Sequence, residues 1–245
     1  MKVHLVMPMA GRGNRFQEMG YTLPKPLIPI YGKPFFFWSV QSVRKFIDLI
    51  SLEFVVLKEH VEMFQLDQKI RSYFPEAKIH LLSKVTEGAV VTCLHGIEQI
   101  ADDCPVIFND CDHLFKSSRL NRFCGRETDT SVDAVLLTFP SDDAKYSYVQ
   151  KDADEKVVLT AEKEVVSHDA ICGCYYFRTA KLFCKASENY LKNCIYQEYF
   201  MSGVYNVLIS QGHLVRSMET DFHISYGTPE EYEAAKQSKD YGKLL

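Results

Sequence analysis

The sequence lacks any hydrophobic run long enough to cross a bilayer. Its aromatic stretch Phe35-Phe36-Phe37-Trp38 falls far short of the roughly 20 residues a spanning helix needs. It also lacks a basic tract: 28 Lys and Arg stand against 32 Asp and Glu, a net charge of −4. That balance argues against a nucleic-acid partner. Met1-Lys2 runs straight into strand-like sequence with no apolar leader core, so a soluble, cytoplasmic chain with no membrane partner is expected. Eight cysteines are present, but no C-x-x-C pair. Only Cys172 and Cys174 lie close together, and on a strand they would share one face. They read as small buried hydrophobes in a reducing compartment, not as a zinc or disulfide framework. Two common phosphate-binding loops are missing as well. There is no G-x-x-x-x-G-K-[ST], and the sixth residue counted from Gly11 is Phe16, which breaks G-x-G-x-x-G.

What is present centres on the first 34 residues. Val3 to Met7 read as a short buried strand. After it comes Met9-Ala10-Gly11-Arg12-Gly13-Asn14-Arg15, with two glycines and two arginines. Glycines let backbone N–H groups approach phosphate oxygens, and arginine supplies a planar, permanently charged fork. Ten residues on, Lys25 stands between Pro24 and Pro26. The flanking rings fix φ and reduce the freedom that binding must remove. A stiff lysine beside an anion loop points to chemistry rather than to solvation.

Downstream, the pattern alternates. A helix over Phe35–Phe46 with its aromatic run in the core is followed by a strand over Leu52–Leu57. A helix over Glu59–Tyr73 and a strand over Lys78–Leu82 come next. This order predicts a single α/β domain: a Rossmann-like, mostly parallel mixed sheet flanked by helices. In such sheets ligands gather outside the carboxyl ends of the strands, where the anion loop falls. Thr86 reads as the cap of a helix over Ala89–Ile100. At the end of the strand Pro105–Phe108, Asp110 and Asp112 lie one residue apart. Two carboxylates there repel each other, and a divalent cation bound through oxygen relieves the repulsion. His113 is set aside because such a cation prefers oxygen donors.

The string G-x-G-x-R-F followed by P-K-P-L resembles the signature of nucleotidyltransferases that load sugar 1-phosphates and similar small phosphates onto nucleotides. The resemblance implies a GT-A-like fold and an NTP and a small phosphorylated acceptor as partners. It further implies Mg2+ as cofactor, a place in surface-polysaccharide precursor synthesis and a homo-oligomeric state. Gly11, Gly13, Arg15 and Lys25 would hold the triphosphate, Arg15 and Lys25 as the catalytic charges. The backbone of Met9 and Ala10, with Thr86 and Gly88, would read the base. Asp112 would bind metal, with Asp110 contacting substrate. Residues from about 141 would form an acceptor-binding half, the preceding 140 a nucleotide-binding half. In the acceptor half Glu162 and Lys163 precede the strand Ala170–Phe177, Gly173 would admit substrate to the backbone, and Glu198 would line the pocket. The family's D-x-G-T-P becomes Ser225-Tyr226-Gly227-Thr228-Pro229 here. With that aspartate gone, Asp221 would reach the metal, a water would fill the place, or the second metal position would be weaker. Two rivals share features with this reading. A GT-A-like glycosyltransferase would use Asp110-Cys111-Asp112 as a D-x-D motif, and a catalytically silent nucleotide-sugar sensor would tolerate Ser225.

Overall fold

A computed structural model of the chain describes residues 1–101, 103–126 and 129–244. The N-terminal part alternates β1 (Val3–Met9), α1 (Asn14–Glu18), the two-residue strands β2 (Pro29–Ile30) and β3 (Lys33–Pro34), α2 (Phe35–Arg44) and β4 (Leu49–Leu57). It continues with α3 (Lys58–Phe64), α4 (Leu66–Tyr73), β5 (Lys78–Leu82), α5 (Ala89–Ile97), β6 (Val106–Asn109), β7 (His113–Lys116) and α6 (Ser118–Cys124). Then follow β8 (Ala134–Pro140), β9 (Tyr148–Lys151), β10 (Val157–Ala161), β11 (Asp169–Phe177), α7 (Ala180–Asn193) and α8 (Met201–Ser210). β12 (Val215–Glu219), β13 (Phe222–Ser225) and α9 (Pro229–Ala235) complete the order. Among the described residues no helix is long and apolar enough to cross a membrane.

The main sheet runs β10-β9-β11-β6-β1-β4-β5, with β8 paired to β11 and β12. Strands β5, β4, β1 and β6 are parallel, and β11 enters antiparallel against β6 and β8. The expected α/β architecture with a mixed sheet is the one found. β1 is covered on both faces, as a central parallel strand must be. Its side chains alternate: Leu5 and Met7 join the cluster that includes Val40 of α2 and Ile70 of α4, while Val6 joins the cluster under α5, α7 and α8. Gly96 lets α5 press onto the sheet, because a methyl there would lie 2.4 Å from Val6 Cγ1.

A third cluster, including Phe16, Phe35, Trp38, Tyr226, Tyr232 and Tyr241, lies beneath the N-terminal loop. Phe35, Phe36 and Trp38 are buried, so the aromatic run is core as expected. The helix expected over Glu59–Tyr73 is two helices, because Gln65 takes a left-handed conformation (φ 54°) between α3 and α4. Strands β7 and β13, which no sequence pattern singled out, form a separate antiparallel ribbon with His113 opposite Ser225.

Candidate active site

From β1 the chain steps outward through β4 to β5, then returns to place β6 on the other side of β1. That reversal creates a crevice at the carboxyl ends of β1 and β6. The loop Ala10–Gly13 leaves β1 there, and Asp110-Cys111-Asp112 leaves β6 there. Two segments a hundred residues apart therefore meet by topology.

Each glycine of the first loop has its own reason. Gly13 has φ 70° and ends the loop as the residue before α1. A methyl on it would lie 2.9 Å from Lys25 Cβ, so the loop packs directly on the lysine stem. Gly11 faces open space instead, with nothing within 4 Å of where its side chain would be. Phe16, buried among Tyr21, Phe35 and Tyr232, anchors α1 and with it Arg15, which stays exposed at the mouth of the crevice.

Lys25 begins a single 3-10 turn, Lys25–Leu27, closed by Leu27 N–H donating to the Pro24 carbonyl at 2.8 Å. Its ammonium donates to Asp112 Oδ2 at 2.7 Å. Although withdrawal from water opposes it, the charge of Asp112 raises the Lys25 pKa above the ordinary lysine range. Asp112 is lowered in turn: desolvation is overcome by the charge and hydrogen bond of Lys25. Asp110 behaves oppositely. Desolvation and then the neighbouring charge of Asp112 push it up to about 7, against the pull of Lys25. Gly173 (φ 88°) makes room for that carboxylate, since a methyl there would lie 2.7 Å from Asp110 Oδ2. The freedom expected to admit substrate at Gly173 is thus taken up by Asp110. Burial pushes His113 down to about 4, so it is neutral near pH 7 and adds no charge for phosphate.

Asp110 gives a pH signature. An unfolded aspartate titrates near about 3.9, below the folded value of about 7. Between the two, the folded state holds a proton that the unfolded state has lost, so stability falls as pH rises through this window. In chelator-containing buffer, Asp110→Asn should gain stability relative to wild type between about pH 5 and about pH 8. Denaturant melts at both values would show it, and a constant gap would contradict the assignment.

A cavity of about 790 Å³ opens over this charge group, and most of the residues expected to bind nucleotide line it. Met9, Ala10 and Gly11 line it together with Arg15 and Lys25, as do Thr86 and Gly88. Met9 and Ala10 are buried, which leaves their backbone as the surface on offer. Thr86 does not cap α5: Gly88 is the N-cap, and the Thr86 hydroxyl lies 2.7 Å from Thr92 Oγ1 and donates to the Gly88 carbonyl at 3.0 Å. Gly88 is fixed by close approach, because a methyl there would meet Tyr199 N at 2.4 Å. Tyr199 also bonds both ends of this turn, donating to the Glu87 carbonyl and accepting from Val90 N–H. That contact brings neighbouring Glu198 to the cavity rim. Lys163 lines the same cavity with its ammonium 4.9 Å from the Phe200 ring centre.

A second cavity of about 240 Å³ shares Arg15, Lys25, Asp110 and Asp112 with the first. Gly173, Ser225, Lys145, Tyr146 and Glu231 line it. Here the structure corrects two expectations. Asp221, expected to reach the metal, does not lie beside Asp112. Its carboxylate accepts from Ser118 N–H and, at 2.6 Å, from Ser118 Oγ, at the start of α6. The β7–β13 ribbon runs antiparallel, so Ser225 lies beside His113 while Phe222 lies at the far end beside Lys116. Glu162 lines neither cavity; its Oε2 accepts from Ser147 Oγ and, at 2.7 Å, from Ser202 Oγ.

Sequence reasoning missed Glu231 and Lys145. Despite desolvation, hydrogen bonds from Tyr146, Ser225 and Lys145 hold Glu231 below the ordinary carboxylate range. Its Oε2 also accepts from Gly227 and Thr228 N–H, completing a capping box on α9. Thr228-Pro229-Glu230-Glu231 carried that signal, but only as a helix start. A methyl on Gly227 would lie 2.7 Å from Asp112 Oδ2 and 3.4 Å from Glu231 Oε2, so the two carboxylates flank this glycine.

The fold defines an α/β protein whose crevice gathers Gly11 of the N-terminal loop, Arg15, Lys25 and the carboxylates Asp110 and Asp112. Residues 5–240 match the model of the nucleotidyl transferase family, a family of enzymes, and the chain belongs to it. It is 25% identical over 228 residues to the bifunctional protein GlmU of Aliarcobacter butzleri, covering 89% of this chain and 48% of that one. It is 22% identical over 206 residues to glucose-1-phosphate thymidylyltransferase of Mycolicibacterium smegmatis, covering 83% and 70%. The chain therefore spans about half the length of the GlmU relative. The nucleoside-diphosphate-sugar pyrophosphorylase of Vibrio cholerae has the same fold, with a TM-score of 0.81 at 23% identity over 96% of this chain and all of that one.

Proposed function

We propose that this chain transfers a nucleoside monophosphate from an NTP to the phosphate of a sugar phosphate or similar small acceptor and releases pyrophosphate. The observation that carries this reading is the Lys25–Asp112 pair at 2.7 Å, set between a cavity sized for a nucleotide and a smaller one beside it. An acceptor phosphate oxygen attacks the α-phosphorus, a new P–O bond forms, and the bond to pyrophosphate breaks. The attacking phosphate is already anionic near neutral pH, so no general base is required. Arg15 and Lys25 hold the reacting phosphates in line and offset their charge.

The donor set fits Mg2+. Two half-buried carboxylates share a single lysine, and desolvation, followed by the neighbouring charge of Asp112, pushes Asp110 up to about 7. Asp112 would hold the ion, with Asp110 beside it; once bound, it supplies positive charge to the phosphate oxygens. Glu198 and Lys163 reach the large cavity and Lys145 the small one, so cations are available to an anionic acceptor on either side of Asp112. The product class, a nucleotide-activated small molecule, suits a cytoplasmic step ahead of surface-polysaccharide assembly.

The test is a thermal-shift panel of ATP, CTP, GTP, UTP and dTTP, each with and without Mg2+, on wild type and Gly11→Ala. A ligand at 100 times its Kd adds about 2.7 kcal/mol, and a domain of this size shifts by roughly 2–4 °C per kcal/mol. One NTP should therefore raise the wild-type midpoint by about 5–10 °C. Gly11→Ala should melt normally without ligand, since its methyl points into open space, and lose most of the shift. No response to any NTP would refute the donor assignment and turn the search to nucleotide-sugars.

A further inference from the structure

One side-chain cluster plays no part in the proposed reaction. His113 on β7, Cys172 on β11 and His223 on β13 each offer a donor atom, and the three lie within 4.8 Å of one another. His113 and His223 belong to the same ribbon, two residues out of direct register, so they project from one face. Cys172 comes from across the gap, where the pairing of β11 with β8 breaks between Ile171 and Tyr175.

The hydrogen bonds around His113 fix its lone pair. Asn109 Nδ2 donates to the Ser39 carbonyl at 3.0 Å, which makes Asn109 Oδ1 the acceptor. His113 Nε2, 3.0 Å from that oxygen, therefore carries the proton, and Nδ1 is left with its lone pair facing His223 Nε2 at 3.4 Å. That separation is long for a hydrogen bond. It matches the edge of a tetrahedron with metal–nitrogen bonds of about 2.0–2.1 Å, roughly 3.3–3.4 Å. A ring nitrogen held by a side-chain amide while its partner faces outward is also the arrangement that orients metal-binding histidines.

We infer that His113, Cys172 and His223 form a binding site for a borderline-soft divalent cation of the zinc class, distinct in chemistry from the oxygen donors Asp110 and Asp112. Two imidazoles and a thiolate select such an ion over Mg2+. Cys172 releases its thiol proton to solvent as the metal–sulfur bond forms. Three protein ligands leave a fourth position open. All three residues line the 240 Å³ cavity that also holds Asp112 and Lys145, so that position faces the small-molecule side of the crevice. The inference rests on these donor atoms alone and stands whether or not the chain transfers nucleotides.

Cobalt(II) is the probe. The protein, stripped with chelator, is titrated with Co2+ in excess Mg2+ and followed by absorption. Wild type should bind one equivalent and develop a near-ultraviolet thiolate-to-cobalt charge-transfer band that Mg2+ does not remove and Zn2+ does. Cys172→Ser should lose the band, and His223→Gln should weaken binding by at least about tenfold, both with unchanged circular dichroism. No thiolate band in wild type would overturn the site whatever the variants do. A band surviving in Cys172→Ser would assign the metal to another cysteine, and displacement by Mg2+ would place it on the carboxylates.

Discussion

Replacing Lys25 with alanine is expected to lower turnover by about 10²–10³, the range measured when one preorganised electrostatic group is removed from an active site. The lysine is held in three ways. Prolines stand on both sides, the 3-10 turn closes over it, and its stem rests against Gly13. Its charge therefore costs little reorganisation when phosphate arrives. Alanine also leaves Asp110 and Asp112 without their shared cation, so the variant should bind protons at higher pH than wild type. Lys25→Arg should not restore activity, because a planar fork on a longer stem cannot occupy the 2.7 Å contact with Asp112 in the same way. Pyrophosphate release with the NTP and acceptor identified by binding is the measurement. Full activity in Lys25→Ala would remove the lysine from the mechanism.

Much of this site was legible because its parts are local. The loop after β1 declares itself through glycines, arginine and proline-bound lysine, and Asp110 and Asp112 fall at a strand end whose apolar run is plain in the sequence. Topology then does what composition cannot, since the return from β5 to β6 brings the two segments to one crevice. Several strands of the main sheet were legible for a similar reason: β4, β6 and β8 hold apolar runs bounded by polar turns. The β7–β13 ribbon was not. His113-Leu114-Phe115-Lys116 and Phe222-His223-Ile224-Ser225 are four residues each and lie over a hundred positions apart, and nothing local names the partner or the register. The misplacement of Asp221 and the silence on His223 follow from that one gap, and Cys172 was read only as a small buried hydrophobe because neither histidine lies near it in the sequence. Lys145 and Glu231 went unread because Glu231 fits a helix start equally well, and its partners Lys145 and Tyr146 come from a distant loop.

Asp112→Asn and Asp221→Asn, made as a pair, should separate sharply. Both residues are acidic and both were candidates for the metal, but the ribbon register puts Asp221 four residues from Ser225, which lies beside His113, about 13 Å along a strand. Asp112→Asn removes the partner of Lys25 and the carboxylate best placed for Mg2+. Turnover should fall by about 10²–10³, and the added stabilisation that Mg2+ gives to NTP binding should disappear. Asp221→Asn removes only an acceptor for Ser118 at the start of α6. It should leave turnover and metal response unchanged while costing about 1 kcal/mol of stability, the usual net size of one lost hydrogen bond. Turnover assays over a Mg2+ series, with denaturant melts of the same samples, read both effects together. Equal damage from the two variants would mean that the ribbon is paired in a different register and that Asp221 belongs at the metal after all. Damage confined to Asp112→Asn would leave Ser225 as a true loss of a carboxylate, with Glu231, held by Ser225 and Lys145, as the acidic group at that place.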